Sequence, residues 1–357
     1  MSDSPPPDPT PGGVPTPHRR RPRYPGRNPR RFEDKYKERD PQRFQETIEK
    51  VLASGKTPAG THRPILVPEI LDLLSPSPGE VAVDCTLGYG GHAEAILHRL
   101  QPGGRLVALD TDPLELAKTE ARLRAAGWTA ASFTAVKSNY AGLPKVLSNL
   151  GLESAHVILA DLGLSSMQID DPQRGFSVKF EGPLDMRMDP TRGPTAAGLL
   201  QRLDAPALAR LLVENADEPQ AHRLAPALAG RSFATTAALS EAIRLALAAL
   251  HVASITEVQL TVRRVFQALR IAVNDEFSAL ETLLRHLPGC LAPGGRVAVL
   301  TFHSGEDRRV KKAFEAGRQA GLYAAIAEEV IRPSAEEQRA NPRSSPAKLR
   351  WAKRTAP

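Results

Sequence analysis

The sequence predicts a doubly wound, Rossmann-like α/β fold carrying an inserted helical domain, and three observations predict it. The stretch Val81-Ala-Val-Asp-Cys-Thr-Leu-Gly-Tyr-Gly-Gly-His92 runs from a short apolar segment through Asp84 into a loop with Gly88, Gly90 and Gly91. A helically patterned segment follows, giving a strand, glycine loop and helix in succession. Strand-like and helix-like segments then alternate as far as Asp161, the rhythm of a parallel sheet. Beyond that the rhythm breaks. From about 170 to 255 no convincing strand occurs, and Leu199 to Leu250 is rich in Ala and Leu at helical spacing.

Taken in order, residues 1–31 are low-complexity Pro/Arg sequence and are expected to be disordered. Residues 31–52 are charged with helical potential, and 54–60 form a linker. Compact structure is expected from about His62-Arg-Pro-Ile-Leu-Val-Pro-Glu-Ile-Leu71 onward. Strands are expected at 81–85, 105–109, 131–136 and 156–160, with helices at 92–100, 113–125 and 142–150. After the insert, helices at 258–273 and 275–288 lead into a fifth strand, Gly294-Gly-Arg-Val-Ala-Val-Leu-Thr-Phe302. Leu322 to Ile331 and Lys348 to Ala352 supply closing strands. The expected domains are an extension at 1–60, a sheet domain at 61–169 and 258–331, a helical insert at 170–257 and a basic end at 332–357.

Charge is distributed unevenly along the 357 residues, whose net charge is +7. Residues 1–60 hold 13 Lys/Arg against 8 Asp/Glu and 332–357 hold 7 against 2, leaving 61–331 at −3. Basic ends on a mildly acidic body imply a polyanionic partner, RNA or DNA; for the N-terminal end alone a solubilising tail is an equal reading. Cys85 and Cys290 are too few for a disulfide framework or a cysteine metal site, and Cys85 reads as a small core residue. No apolar run is long enough to span a membrane. Met1 to Arg31 lacks the apolar core of a secretory signal, and its ten prolines with Asp3 and Asp8 argue against a transit helix. The expected location is the cytoplasm.

The glycine loop points to a nucleoside cofactor. Asp110, at the end of the second strand and about 20 residues on, is placed to accept bonds from two ribose hydroxyls. Gly88-Tyr-Gly-Gly-His-Ala93 also fits the G-x-G-x-x-A form of dinucleotide enzymes, and glycines that merely relieve a tight turn are the plainer alternative. Asp84 favours S-adenosylmethionine, whose ammonium and sulfonium suit a nearby carboxylate better than a pyrophosphate does.

Four further clusters fall at the expected crevice. Asp161-Leu-Gly-Leu-Ser-Ser-Met-Gln168 follows the fourth strand, so Asp161, Ser165, Ser166 and Gln168 can reach cofactor or substrate; capping is the alternative for the serines. Asp170 to Ser177 and Gly182 to Pro190 form a long polar loop in which Asp185 and Arg187 could hold a base edge or order the loop. A surface ion pair is the alternative there. Phe302-His-Ser-Gly-Glu-Asp-Arg308 places His303 as a proton acceptor or base contact, or as a structural histidine. Tyr140 could pack on adenine or belong to the core. No metal-ligand spacing, nucleophile elbow or P-loop occurs. Methyl transfer fits that set, because it asks mainly for alignment and shielding.

Taken together these residues resemble the RsmH (MraW) family of S-adenosylmethionine-dependent 16S rRNA cytosine-N4 methyltransferases. The resemblance runs from about His62 to Lys353. It rests on His62-x-Pro-Ile-Leu, Asp84-x-Thr-x-Gly-x-Gly-Gly-His92, Asp161-Leu-Gly-x-Ser-Ser, Gly182-Pro-Leu-Asp-Met-Arg-Met-Asp189, Phe266-Gln-Ala-Leu-Arg-Ile271, Phe302-His-Ser304 and Asn341-Pro-Arg343. It implies a class I methyltransferase sheet, with cofactor contacts on Gly90, Gly91, His92, Asp110, Tyr140, Asp161 and Gln168. To these the residue reading adds Asp84 and Gly88. Asp161, Ser165 and His303 are the expected catalytic groups; Asp185, Arg187 and Ser304 are the expected substrate contacts. The implied substrate is a decoding-centre cytidine, cytosine 1402 by the resemblance, in the assembled small ribosomal subunit, with the helical insert seating the RNA. A homodimer is one expected assembly.

The chain departs from the family pattern in several places. Tyr140 stands for phenylalanine and Gly305 for leucine. Ala216-Asp-Glu-Pro-Gln220 lacks the usual aromatic and basic residues, Leu260-Thr-Val262 replaces His-Pro-Ala, and the extension at 1–60 is atypical. Rival readings are a DNA amino-methyltransferase, a silent RNA-binding assembly factor and a dinucleotide oxidoreductase. Asp161-Leu-Gly-Leu in place of an Asn/Ser/Asp-Pro-Pro-Tyr/Phe element counts against DNA. Retention of Asp84, Asp110 and Asp161 counts against a silent factor.

Overall fold

Alternation of apolar side chains along each strand builds a sheet that is buried on both faces. The computed structural model describes residues 64–252 and 254–356. Its strands are β1 (Val81–Asp84), β2 (Arg105–Asp110), β3 (Phe133–Lys137), β4 (Ala155–Asp161), β5 (Leu291–Thr301), β6 (Tyr323–Ile326) and β7 (Lys348–Arg354). They form one seven-stranded sheet in the order β3-β2-β1-β4-β5-β7-β6. Pairing is parallel from β3 to β5, and β7 lies antiparallel to both β5 and β6. This is a doubly wound, Rossmann-like sheet in which β7 runs against its neighbours.

Ala82, Leu106, Ala108, Val157, Leu159, Ala298 and Leu300 face one buried cluster. Their neighbours Val83, Val107, Leu109, Ile158, Ala160, Val297 and Val299 face the other. The first is covered by α1 (Val67–Leu74), α2 (Gly91–Leu100) and α3 (Pro113–Ala125); the second by α4 (Leu143–Asn149), α11 (Glu276–Cys290) and α12 (Ser304–Gln319). Parallel strands covered on both faces need apolar side chains in both directions.

Between β4 and β5 the chain forms α5 (Ser166–Asp170), α6 (Ala196–Arg202), α7 (Ala205–Ala216), α8 (Ala221–Leu228), α9 (Thr236–Ala249) and α10 (Ile255–Asn274). Asp204, Thr235 and Ser254 accept backbone N–H groups at the starts of α7, α9 and α10. The helices bury a third cluster that includes Leu200, Leu212, Leu224, Ile243 and Leu269. Val262, Val265 and Phe266 of α10 belong to it, so the boundary expected at 257/258 falls inside a helix whose apolar side faces the helical cluster.

Other expected bounds shift as well. The fifth strand begins at Leu291 rather than Gly294. The strand expected at 322–331 ends at Ile326; the charged pair Glu328 and Glu329 follows, and Ile331 returns only as an isolated bridge to Leu349. Helix α12 was not expected, because its apolar stripe is thin: Val310 and Phe314 are its buried large apolar side chains. A further short helix, α13 (Ala335–Ala340), precedes β7. Among the described residues no helix is long and apolar enough to cross a membrane. The readings for residues 1–60 and for His62 lie outside the described residues.

Candidate active site

Parallel strands deliver their last residues to one edge of the sheet, and there Asp84, Asp110 and Asp161 end β1, β2 and β4. Asp84 is buried; its Oδ1 accepts bonds from Thr86 N at 3.0 Å and Thr86 Oγ1 at 3.3 Å. Thr86 Oγ1 in turn accepts Asp161 N at 2.7 Å. Asp161 Oδ2 lies 3.4 Å from His92 Nδ1, and His92 Nε2 lies 2.9 Å from the carbonyl of Ile65. One network therefore joins two strand ends, the glycine loop and the segment before α1. Thr86 is its hub, a residue the sequence reading passed over although it stands inside the motif.

Burial raises the carboxyl of Asp84 to about 6, with the Asp161 charge adding to that and the Thr86 bonds and His92 opposing it. Asp110 is likewise pushed up to about 6 by burial, although its oxygens accept Asp112 N and Gly88 N, each at 2.8 Å. Burial works against charge on His92, yet the bond and charge of Asp161 hold its pKa above the usual value.

The glycines divide their work. A Cβ on Gly90 would meet Thr119 Cγ2 at 2.8 Å, and one on Gly91 would meet Pro64 Cγ at 2.7 Å. Both let the loop close onto the protein itself. Thr119 Oγ1 donates to Gly88 O at 2.6 Å and Arg122 Nη2 to Tyr89 O at 2.6 Å, which fastens the loop to α3. A Cβ on Gly88 meets nothing nearer than Thr86 O at 3.8 Å, so the loop faces open space at that position. Asp161 Oδ1 is buried with no hydrogen-bond donor, an acceptor left for a ligand. Buried acids for a cation, an unhindered loop and Asp110 with lone pairs to spare fit S-adenosylmethionine.

The remaining candidates are placed as follows. Ser165 and Gln168 form a capping box: Ser165 Oγ accepts Gln168 N at 3.2 Å and Gln168 Oε1 accepts Ser165 N at 3.0 Å. Gln168 Nε2 donates to Asp112 Oδ2 at 2.9 Å, so both ends of that amide are held inside the protein. The hydroxyl of Tyr140 donates to the carbonyl of Glu276 at 3.3 Å, its ring packs against the sheet's second cluster, and burial raises its phenol well above the ordinary value. Asp185 and Arg187 are joined by two bonds of 2.8 and 2.7 Å, and Asp185 also accepts Arg187 N at 3.0 Å; the pair shapes its own loop. His303 caps α12, with Nδ1 accepting Glu306 N at 3.4 Å and Nε2 lying 3.2 Å from Glu306 Oε1 but out of line for a hydrogen bond. Ser304 is exposed on the first turn. Gly305 makes room there: a Cβ would meet Phe277 Cζ at 2.6 Å and the His303 ring at 3.2 Å.

Several residues given no site role by the sequence alone join these parts. Asn274 Oδ1 accepts Met188 N at 2.7 Å, and its Nδ2 donates to Met186 O at 2.8 Å, tying the 182–190 loop to α10. Arg343 Nη2 donates to Asp170 Oδ1 at 2.5 Å and Glu337 Oε1 accepts Leu66 N at 2.9 Å, so the segment before β7 braces both α5 and the start of α1.

Comparison with known proteins gives a consistent result. The model of the MraW methylase family matches residues 59–355. The chain is 46% identical over 341 residues to Ribosomal RNA small subunit methyltransferase H 1 of Lachnoclostridium phytofermentans, covering 94% of this chain and 93% of that protein. It is 45% identical over 343 residues to the protein of the same name from Agathobacter rectalis, covering 94% and 98%. Ribosomal RNA small subunit methyltransferase H of Anaeromyxobacter sp. strain K is 43% identical over 314 residues, with 81% and 96% covered.

Proposed function

The chain belongs to the MraW methylase family, and from that premise we propose that it methylates the exocyclic N4 of a decoding-centre cytidine in 16S rRNA. The substrate is the assembled small ribosomal subunit, and the target cytosine 1402. The names of the relatives support a small-subunit rRNA substrate. The single observation that carries the chemistry is the buried, donor-free Oδ1 of Asp161 at the sheet edge.

S-adenosylmethionine, when bound, supplies a methyl group already activated on a sulfonium, so the protein needs no metal or nucleophile of its own. Asp110 accepts the ribose hydroxyls, while Asp84 and Asp161 supply negative charge for the cationic end. Asp161 Oδ1 accepts an N4–H of the cytosine and so directs the nitrogen lone pair away from the ring. Ser165, at the start of α5, keeps a hydroxyl proton to donate, because its oxygen is the acceptor within the cap. The loop shaped by Asp185 and Arg187 holds one side of the extruded base, and His303 with Ser304 holds the other. Extruding a base costs a few kcal/mol, which contacts of the helical side and the basic ends with RNA phosphates offset.

The test is transfer of labelled methyl from S-adenosylmethionine to assembled small subunits, free small-subunit rRNA, large subunits and duplex DNA, followed by nucleoside digestion. N4-methylcytidine from the small subunit is the expected product. Label on DNA alone, or cofactor binding with no transfer to any substrate, would overturn the reading.

A further inference from the structure

Arg174 sits where the two halves of the proposed site meet. Its Nη1 donates to Asp112 Oδ2 at 2.7 Å, and its Nη2 donates to the carbonyls of Arg187 at 3.0 Å and Met188 at 2.8 Å. Its own carbonyl accepts Met186 N at 3.0 Å. One residue thus pins three consecutive positions of the 182–190 loop. Asp112 is fully buried and caps α3, and its backbone N–H is one of the two donors on Asp110. A continuous chain of bonds runs from Asp110 through Asp112 and Arg174 to the loop.

The loop is held in a conformation it would not choose alone. Met186 is buried with φ of 62°, a left-handed backbone that methionine rarely adopts. The approach of the two segments is close: a Cβ on Gly175 would lie 2.1 Å from Pro183 O, and one on Gly182 would lie 1.8 Å from Pro172 O. Only glycine permits the Arg174 segment to lie against the loop in this way. The planar fork of an arginine then spans a carboxylate on one side and two carbonyls on the other, which a lysine cannot do.

We infer that Arg174 is a positioning residue that couples occupancy of the cofactor site at Asp110 to the order of the 182–190 loop. The inference rests on the reading above, in which Asp110 holds the cofactor ribose and the Asp185–Arg187 loop holds the base. A ligand on Asp110 fixes the turn that carries Asp112; Asp112 fixes Arg174; and Arg174 sets the carbonyls on either side of the strained Met186. Binding of cofactor first therefore prepares the surface that receives the base.

The experiment is amide hydrogen exchange over Leu184 to Asp189, in the full chain, with and without S-adenosylhomocysteine, alongside calorimetric binding of the same compound. In the wild type the compound slows exchange of this segment by about fivefold or more, the lower range of allosteric coupling. Arg174→Lys binds the compound within about fivefold of the wild type, a change no larger than that same lower range, yet shows no ligand-dependent slowing. Asp112→Asn, which keeps a good helix cap, behaves the same way and stands in if the lysine variant does not fold. Ligand-dependent slowing retained in both variants, or absent in a wild type that binds the compound, would overturn the coupling. A wild type that does not bind the compound would overturn the cofactor reading and this inference with it.

Discussion

His92 faces an acceptor from each ring nitrogen: Asp161 Oδ2 lies 3.4 Å from Nδ1, and the carbonyl of Ile65 lies 2.9 Å from Nε2. A neutral imidazole carries one N–H and can satisfy only one of them. The arrangement suits an imidazolium, in keeping with the raised pKa of His92. Asp161→Asn keeps the volume and removes the charge. The expected result is a loss of methyl transfer of about a hundredfold or more, well beyond the loss in S-adenosylhomocysteine binding that follows from removing one of the two charges facing its ammonium. Steady-state rates set against calorimetric binding check it, and wild-type turnover in the variant would take Asp161 out of the mechanism.

Cofactor affinity should depend on pH through Asp110. Its carboxyl is raised to about 6, so it is ionised above that value and accepts ribose hydroxyls best there. Affinity for S-adenosylhomocysteine is expected to fall as pH drops from about 8 through about 6. In Asp110→Asn the affinity is lower throughout and this step is flattened. Calorimetry across that range would show whether the step follows Asp110.

Asp84 makes the opposite demand on stability. Its folded-state value, about 6, lies above the ordinary 3.8, so its contribution is fully present below about pH 4 and is lost as pH rises through about 6. Above that range the unliganded protein carries a buried charge at a disadvantage of about 3 kcal/mol. Asp84→Asn should therefore raise the Tm of the unliganded protein near neutral pH while weakening cofactor binding. The gain should shrink towards about pH 4. Thermal melts at two pH values would check the sign.

Gly305 offers a test of packing beside His303. Gly305→Ala places a methyl group against Phe277 and the His303 ring, and Phe277 is already covered by the Arg309 guanidinium at 3.6 Å. The expected loss is about 1–3 kcal/mol of stability, with a higher KM for the small subunit because His303 is displaced. An unchanged Tm and KM would mean that the ring moves aside freely.

The parts of the site legible in the sequence were those whose signal is local. Asp84, Asp110 and Asp161 each close an apolar run, and a residue in that position must emerge at the strand's carboxyl end. The capping box was equally readable, since Ser165 and Gln168 have the S-x-x-Q spacing. The roles of Arg174, within the polar stretch at 170–177, and of Asn274 were not legible: their partners are backbone atoms and a carboxylate remote in sequence. The boundary expected at 257/258 lies within α10, where helical periodicity runs unbroken. A hydrophobic repeat identifies a helix but not which core receives it.

Strands β4 and β5 are paired neighbours at the centre of the sheet, yet about 130 residues separate them along the chain. The entropy of closing such an excursion grows only logarithmically, so doubling its length adds about 0.6 kcal/mol. The helical side can thus lengthen, shrink or exchange helices over evolutionary time without disturbing the donor pocket. The same arrangement delays the central pairing during folding, since non-local contacts form late. What lets the helical side diversify also makes the middle of the sheet depend on the prompt folding of everything threaded between its two strands.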